Sequence, residues 1–312
     1  MNIAIIGRTH ILLDSIPYLE RMGHKTQLIV TAQEAPEYRS KKEDFEDYAR
    51  NNDIAFLSTA KINTYKNHLS DLAIEKDIKI ALSMNYVSTI SNDIINIFPM
   101  GILNLHMGDL PRYRGNATPN WVIINKEKRV ALCVHYMVGG ELDSGDIIAK
   151  EYKAITMDTK VTELYAWMEE RAPVLFADAL SKLEADPSYI LERQSKDPKD
   201  ILRCYPRVPE DSKINWNMTN ENILANINAS SYPFQGAFTY YDNSKVIVWD
   251  AELYNDEENY CAIPGQITQI SMDTGHVIVI CGSGKLEIKE VQTDGYKGKP
   301  AEIIRSIRKR FT

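Results

Sequence analysis

Two short stretches of this chain carry residue types that can do chemistry. The first is Asn104-Leu-His106-Met-Gly108-Asp109-Leu-Pro111-Arg112-Tyr113-Arg114-Gly115. Asn104 and His106 are two apart, so in an extended strand both side chains leave the same face. An amide and an imidazole converging on one point can donate hydrogen bonds to a developing oxyanion. The second stretch is Gly139-Gly140-Glu141-Leu142-Asp143-Ser144-Gly145-Asp146. A carboxylate on such a loop can reach His106, orient the ring and favour its cationic form. Asp143 and Asp146 compete for that role, and spacing does not choose between them. The other histidines, His10, His24, His68, His135 and His276, lack a comparable neighbourhood and read as structural or surface residues.

Positioning these groups is the task of the surrounding elements. Short apolar runs at 3–6, 27–30, 54–57, 78–82 and 102–105 alternate with helix-like stretches at 12–22, 42–51, 65–75 and 92–98. Such alternation predicts an α/β domain around a mainly parallel sheet. Pro17 predicts a kink or a late start in the first helix. Strands at 131–137 and 147–152 flank the Gly-rich loop, and a long amphipathic helix follows at 162–183. The Asn-x-His pair lies at the carboxyl end of a strand, where open α/β sheets usually meet their ligands. Near residue 195 the pattern changes. After the connector Tyr205-Pro206-Arg207-Val208-Pro209 come one short helix at 220–229 and five β-rich runs separated by turn residues. These predict a small antiparallel barrel, closed by a basic helix at 301–311. The expected domains are therefore 1–204 and 205–312.

The composition narrows the function class. Of 312 residues, 44% are hydrophobic and 25% charged, with 36 Lys+Arg against 43 Asp+Glu. A mildly acidic chain argues against broad nucleic-acid binding. No apolar run is long enough for a membrane span, and the first residues read as a strand rather than a secretion signal. A cytoplasmic protein with reduced thiols is expected, because Cys133, Cys204, Cys261 and Cys281 are dispersed and form no CxxC pair. No metal-ligand cluster is visible.

At these same residues the sequence resembles the formyltransferase family that uses 10-formyltetrahydrofolate. The family's hallmark is Asn-x-His, then a Ser, then Leu-Pro-x-Tyr-Arg-Gly, with a later Asp-x-Gly. Asn104, His106, Leu110-Pro111, Tyr113-Arg114-Gly115 and Asp143-Ser144-Gly145 match it in order. The resemblance selects Asp143 over Asp146 and implies a reaction centre of Asn104, His106 and Asp143. One departure is Gly108, which stands where the family has Ser and is followed by Asp109. Fold expectations follow as well: a Rossmann-like catalytic domain, then a small OB-like β-barrel. Ser88, Thr89, Ile90, Asn116 and the loop Gly139, Gly140, Glu141, Leu142 and Asp143 fall where family members hold the folate. Arg112, Tyr113 and Arg114 are candidates to meet the acceptor.

Stretches in the second half, 209–216 and 232–238, resemble sugar-nucleotide formyltransferases. That resemblance implies transfer of a formyl group from 10-formyltetrahydrofolate, without a metal, to the amine of a nucleotide-linked amino sugar. Residues 206–312 carry 11 Lys+Arg against 14 Asp+Glu, a poor balance for gripping tRNA. Methionyl-tRNA formyltransferase is the alternative within the family, followed by formylation of a carrier-bound amino acid. A folate-binding regulatory protein is the non-enzyme reading. The resemblance and the apolar barrel strands hint at a homodimer.

Overall fold

The computed structural model describes every residue except Glu37. The chain forms two compact units. One comprises residues 1–118, 130–153 and 165–205, and the other 119–129, 154–164 and 206–312.

The first unit is built on strands β1 (Asn2–Gly7), β2 (Lys25–Thr31), β3 (Ala55–Ser58), β4 (Ile80–Met84), β5 (Ile102–Met107), β7 (Arg129–Tyr136) and β8 (Ile147–Ala154), with α1 (His10–Arg21), α2 (Lys42–Asn51), α3 (Lys66–Glu75), α4 (Asn92–Ile95) and most of α6 (Val161–Ala185), whereas all but the first residue of α5 (Thr118–Ile124) falls in the second unit. The two-residue strand β6 (Arg114–Gly115) lies outside this sheet and pairs with β9 (Arg203–Cys204). Sheet order is β3-β2-β1-β4-β5-β7-β8, with β1 to β5 parallel and β7 antiparallel to β5. The sheet is thus mainly parallel, as its near-continuous apolar strands require. Every residue of β4 is buried, the mark of a strand covered on both faces. Helix α1 starts at an N-cap, Thr9, whose hydroxyl accepts from the Leu12 amide, and runs through Pro17. The cap sets the start and the buried face Ile11, Leu12, Ile16 and Leu19 holds the helix, so the late start expected from Pro17 does not occur. The stretch 92–98 is helical only over Asn92–Ile95.

The second unit contains α7 (Asn220–Ala229) and an antiparallel sheet of β10 (Ala237–Tyr241), β11 (Ser244–Tyr254), β14 (Lys285–Thr293), β13 (Val277–Ile280) and β12 (Ile267–Ile270), with β15 (Tyr296–Gly298) on β14. Its last residues correct the expectation of a terminal basic helix. Residues 310–312 are extended: Phe311 N donates to Gly265 O, and Thr312 and Tyr240 exchange two backbone hydrogen bonds. The bridges Gln266–Arg310 and Tyr241–Phe311 carry the pairing from the β12 side across to β10, which rounds the sheet into a barrel. Burial decides this: Phe311 is 1% exposed and stacks on Trp216 at 5.3 Å, and a helix there would forfeit both the stack and the bridges. Among the described residues, no helix is long and apolar enough to cross a membrane.

Candidate active site

The site grows from the register of β5 and β7. These strands pair Asn104 with His135 and His106 with Cys133, so Asn104, His106, Cys133 and His135 share one face. Asn104 Nδ2 lies 3.3 Å from His135 Nε2. His135 Nδ1 donates to the Tyr136 carbonyl at 2.8 Å. That leaves Nε2 to accept from Asn104 or, when protonated, to donate to Asp143 Oδ1 at 3.5 Å. His106 Nδ1 lies 3.6 Å from Asp143 Oδ2, and the two imidazoles meet edge to face at 6.2 Å.

Asp143 reaches this point because the 139–145 loop is tied down. Gln194 Nε2 donates to the carbonyls of Asp143 at 2.9 Å and Gly145 at 2.7 Å. The Gly115 amide donates to Asp143 Oδ2 at 2.8 Å. Burial alone would push the Asp143 carboxyl up. The charge of His106, a hydrogen bond and charge from His135 and the Gly115 amide outweigh that, and hold it well below the usual carboxylate range. The group is therefore a carboxylate at neutral pH. His135, 1% exposed, thus joins a centre that the sequence reading left to three residues. Its signal was present in the alternation Ala131-Cys133-His135, whose inward face follows once β7 is paired with β5.

Arg112, Tyr113 and Arg114 divide. Tyr113 and Arg114 are 2% and 4% exposed. Arg114 donates two hydrogen bonds to Gln194 Oε1 and one to the Ser195 carbonyl, and so builds the loop. Burial first, then Arg203, pull its guanidinium below the usual value, offset by Asp143 and Glu141. Arg112 and Asn116 are exposed. Asp109, the companion of Gly108, accepts from Lys150 Nζ at 3.4 Å and from the Tyr152 hydroxyl at 3.0 Å. Behind it, the Cys133 thiol, pushed up to about 12 chiefly by burial, donates to the Gly108 carbonyl.

The two candidate folate segments lie side by side. The Gly139 amide donates to Asn92 Oδ1 at 3.0 Å, and a Cβ on Gly139 would sit 2.3 Å from the Asn92 nitrogen. Only glycine permits that approach, which brings the 139–143 loop against the segment following 88–90. Ser88 and Thr89 are exposed while Ile90 is buried in the core. Within or next to these segments Val87, Val138 and Leu142 are 42%, 36% and 43% exposed, so apolar side chains stand at the surface there. Among the described residues no group of three or more His, Cys, Asp or Glu is placed to hold a metal.

Comparisons with known proteins show the family. The chain is 29% identical over 306 residues to a methionyl-tRNA formyltransferase of Acetivibrio thermocellus, covering 97% of this chain and 95% of that one. It shares its fold with an N-formyltransferase from Helicobacter canadensis solved with folinic acid and dTDP-3-aminofucose (TM-score 0.67, 17% identity, 92% and 98% of the two chains). The fold is also that of HypX from Aquifex aeolicus in complex with tetrahydrofolic acid (TM-score 0.62, 14% identity), of which this chain, itself 98% covered, spans 47%. The family model for formyl transferases matches residues 1–180, and the one for the formyl transferase C-terminal domain matches 207–307. The chain belongs to the formyl transferase family.

Proposed function

We propose that the protein moves a formyl group from 10-formyltetrahydrofolate to the primary amine of a nucleotide-linked amino sugar. The reading puts the chemistry in residues 1–204 and gives 205–312 an accessory role. The observation that carries it is the convergence of Asn104, His106 and an ionised Asp143. The donor supplies the formyl carbon that the acceptor amine attacks. Asn104 Nδ2 and His106 donate to its oxygen as negative charge builds there, and each such donor is worth about 2.7–4 kcal/mol of barrier. Asp143 keeps the ring aimed, and His135 braces both Asn104 and Asp143. As the bond between the formyl carbon and the folate nitrogen breaks, His106, directly or through water, gives that nitrogen a proton and then takes up the one the attacking amine must lose. Ser88, Thr89, Ile90, Asn116 and the loop Gly139–Asp143 hold the donor, largely through main-chain groups. Arg112, the exposed cation of the 112–114 triplet, meets the acceptor's anionic groups.

The acidic balance of residues 206–312 supports a small acceptor, as does the likeness to a structure holding dTDP-3-aminofucose. A second reading, formylation of methionyl-tRNA, is favoured by the full-length similarity to the Acetivibrio enzyme. Incubation with 10-formyltetrahydrofolate and a panel of nucleotide-linked amino sugars, alongside initiator methionyl-tRNA, separates the two. A mass gain of one formyl group on a sugar nucleotide is expected. Formylated methionyl-tRNA with unmodified sugars would overturn the sugar assignment.

A further inference from the structure

Gly108 stands two residues after His106, at the end of β5. A Cβ at this position would lie 2.5 Å from the Tyr113 carbonyl oxygen, 2.7 Å from His106 Nε2 and 3.0 Å from His106 Cδ2. Those separations are inside nonbonded contact, so any side chain at 108 must drive the carbonyl and the ring apart. Neither has much room to retreat. Tyr113 is buried at φ +58. The residues that follow it are anchored, Arg114 N on the Leu202 carbonyl and Gly115 N on Asp143. The His106 ring is 8% exposed and lies between Asp143 and His135. The 2.6 Å contact of His106 Nε2 with the Tyr113 carbonyl therefore depends on the missing Cβ.

We propose that Gly108 is a positioning residue: it lets the Tyr113 carbonyl close on His106 Nε2, so that this nitrogen enters the reaction protonated and aimed. The inference rests on the role given to His106 above. A carbonyl oxygen has only lone pairs to offer, so Nε2 must carry the hydrogen. Nδ1 meanwhile faces the Asp143 carboxylate, and a ring with acceptors at both nitrogens is best satisfied when it holds both hydrogens. The formyl oxygen approaches beside the fixed Tyr113 O. As charge gathers on it, the Nε2–H is shared between the two acceptors while the proton stays on nitrogen. In these terms glycine at 108 is more than a lost serine hydroxyl, because a serine Cβ cannot share the space with the carbonyl and the ring as they stand.

The test compares the full-length protein with Gly108→Ala and Gly108→Ser, labelled with ¹⁵N-histidine and ¹⁵N-glycine. The His106 ring signals are assigned by their loss in His106→Gln. In the wild type a slowly exchanging, hydrogen-bonded Nε2 proton is expected. Both variants should shift it or lose it while the Gly115 amide signal stays in place. With 10-formyltetrahydrofolate and the amino-sugar nucleotide that the unaltered protein formylates, kcat should fall about 100-fold in both variants, the usual cost of a misplacement near 1 Å. KM for the donor should stay within about twofold, as expected when ground-state binding is untouched. An unprotonated or freely exchanging Nε2 in the wild type would overturn the proposal even if neither variant folds. So would a Gly108→Ser protein of undiminished kcat with the ring signal unmoved. Failure of every acceptor would sink the assigned reaction but leave the ring measurement able to decide the role of Gly108.

Discussion

Two histidine–carboxylate pairs in this chain invite comparison, and the closer one is the less suited to catalysis. In the C-terminal unit His276 Nδ1 lies 2.8 Å from Glu287 Oε1; in the first unit His106 Nδ1 lies 3.6 Å from Asp143 Oδ2. The deciding difference is at the other ring nitrogen. His276 Nε2 faces the Lys299 ammonium at 3.0 Å, a donor, so that ring is complete as a neutral tautomer with nothing left to give. His106 Nε2 faces a carbonyl, an acceptor, and so must hold a hydrogen. Distance to a carboxylate therefore does not say which ring has a hydrogen to give. The donor or acceptor nature of all the ring's partners does.

That contrast can be broken or sharpened in steps. The largest effect should come from His106→Asn, with kcat falling about 1,000-fold or more, since one side chain serves as oxyanion donor and proton source; steady-state kinetics with circular dichroism to verify folding would check it. His135→Leu should come next. It removes the brace on Asn104 and Asp143, and kcat should drop by about 10- to 100-fold with donor KM little changed. Asp143→Asn offers a pH signature. The Asp143 carboxyl is held below its unfolded value, so the stability it contributes is complete above about pH 4 and drains away as pH falls through the folded value. Denaturant midpoints taken at descending pH should find wild type and variant converging on the acid side. A gap of constant width would contradict the low folded value. The smallest effect belongs to the other pair: His276→Gln should leave kcat within about twofold and cost about 1 kcal/mol of stability, the scale of one hydrogen bond.

Much of this was legible in the residues. The alternation of apolar runs gave the mainly parallel sheet, because strands covered on both faces must be apolar throughout, as β4 is. The spacing of Asn104 and His106 gave a shared face because strand geometry has a period of two. His135 escaped because its role depends on which strand β7 pairs with, a long-range fact that no local pattern carries. The terminal helix failed for the same reason: Phe311 answers to Trp216 and Gly265, far away in the chain. Asp143 could be chosen over Asp146 only through family resemblance. In the fold it is the Gly115 amide and Gln194, neither near it in sequence, that bring it to His106.

The pairing of Arg114–Gly115 with Arg203–Cys204 bears on how the protein can be dissected. Every side chain proposed to react lies before residue 180, where the first family match ends. The scaffold that fixes Arg114, Gly115 and the Asp143 loop is nevertheless supplied by Gln194, Ser195 and β9. A fragment cut at residue 180 would keep all the chemical groups and lose their alignment, so the shortest piece worth assaying must extend past Cys204.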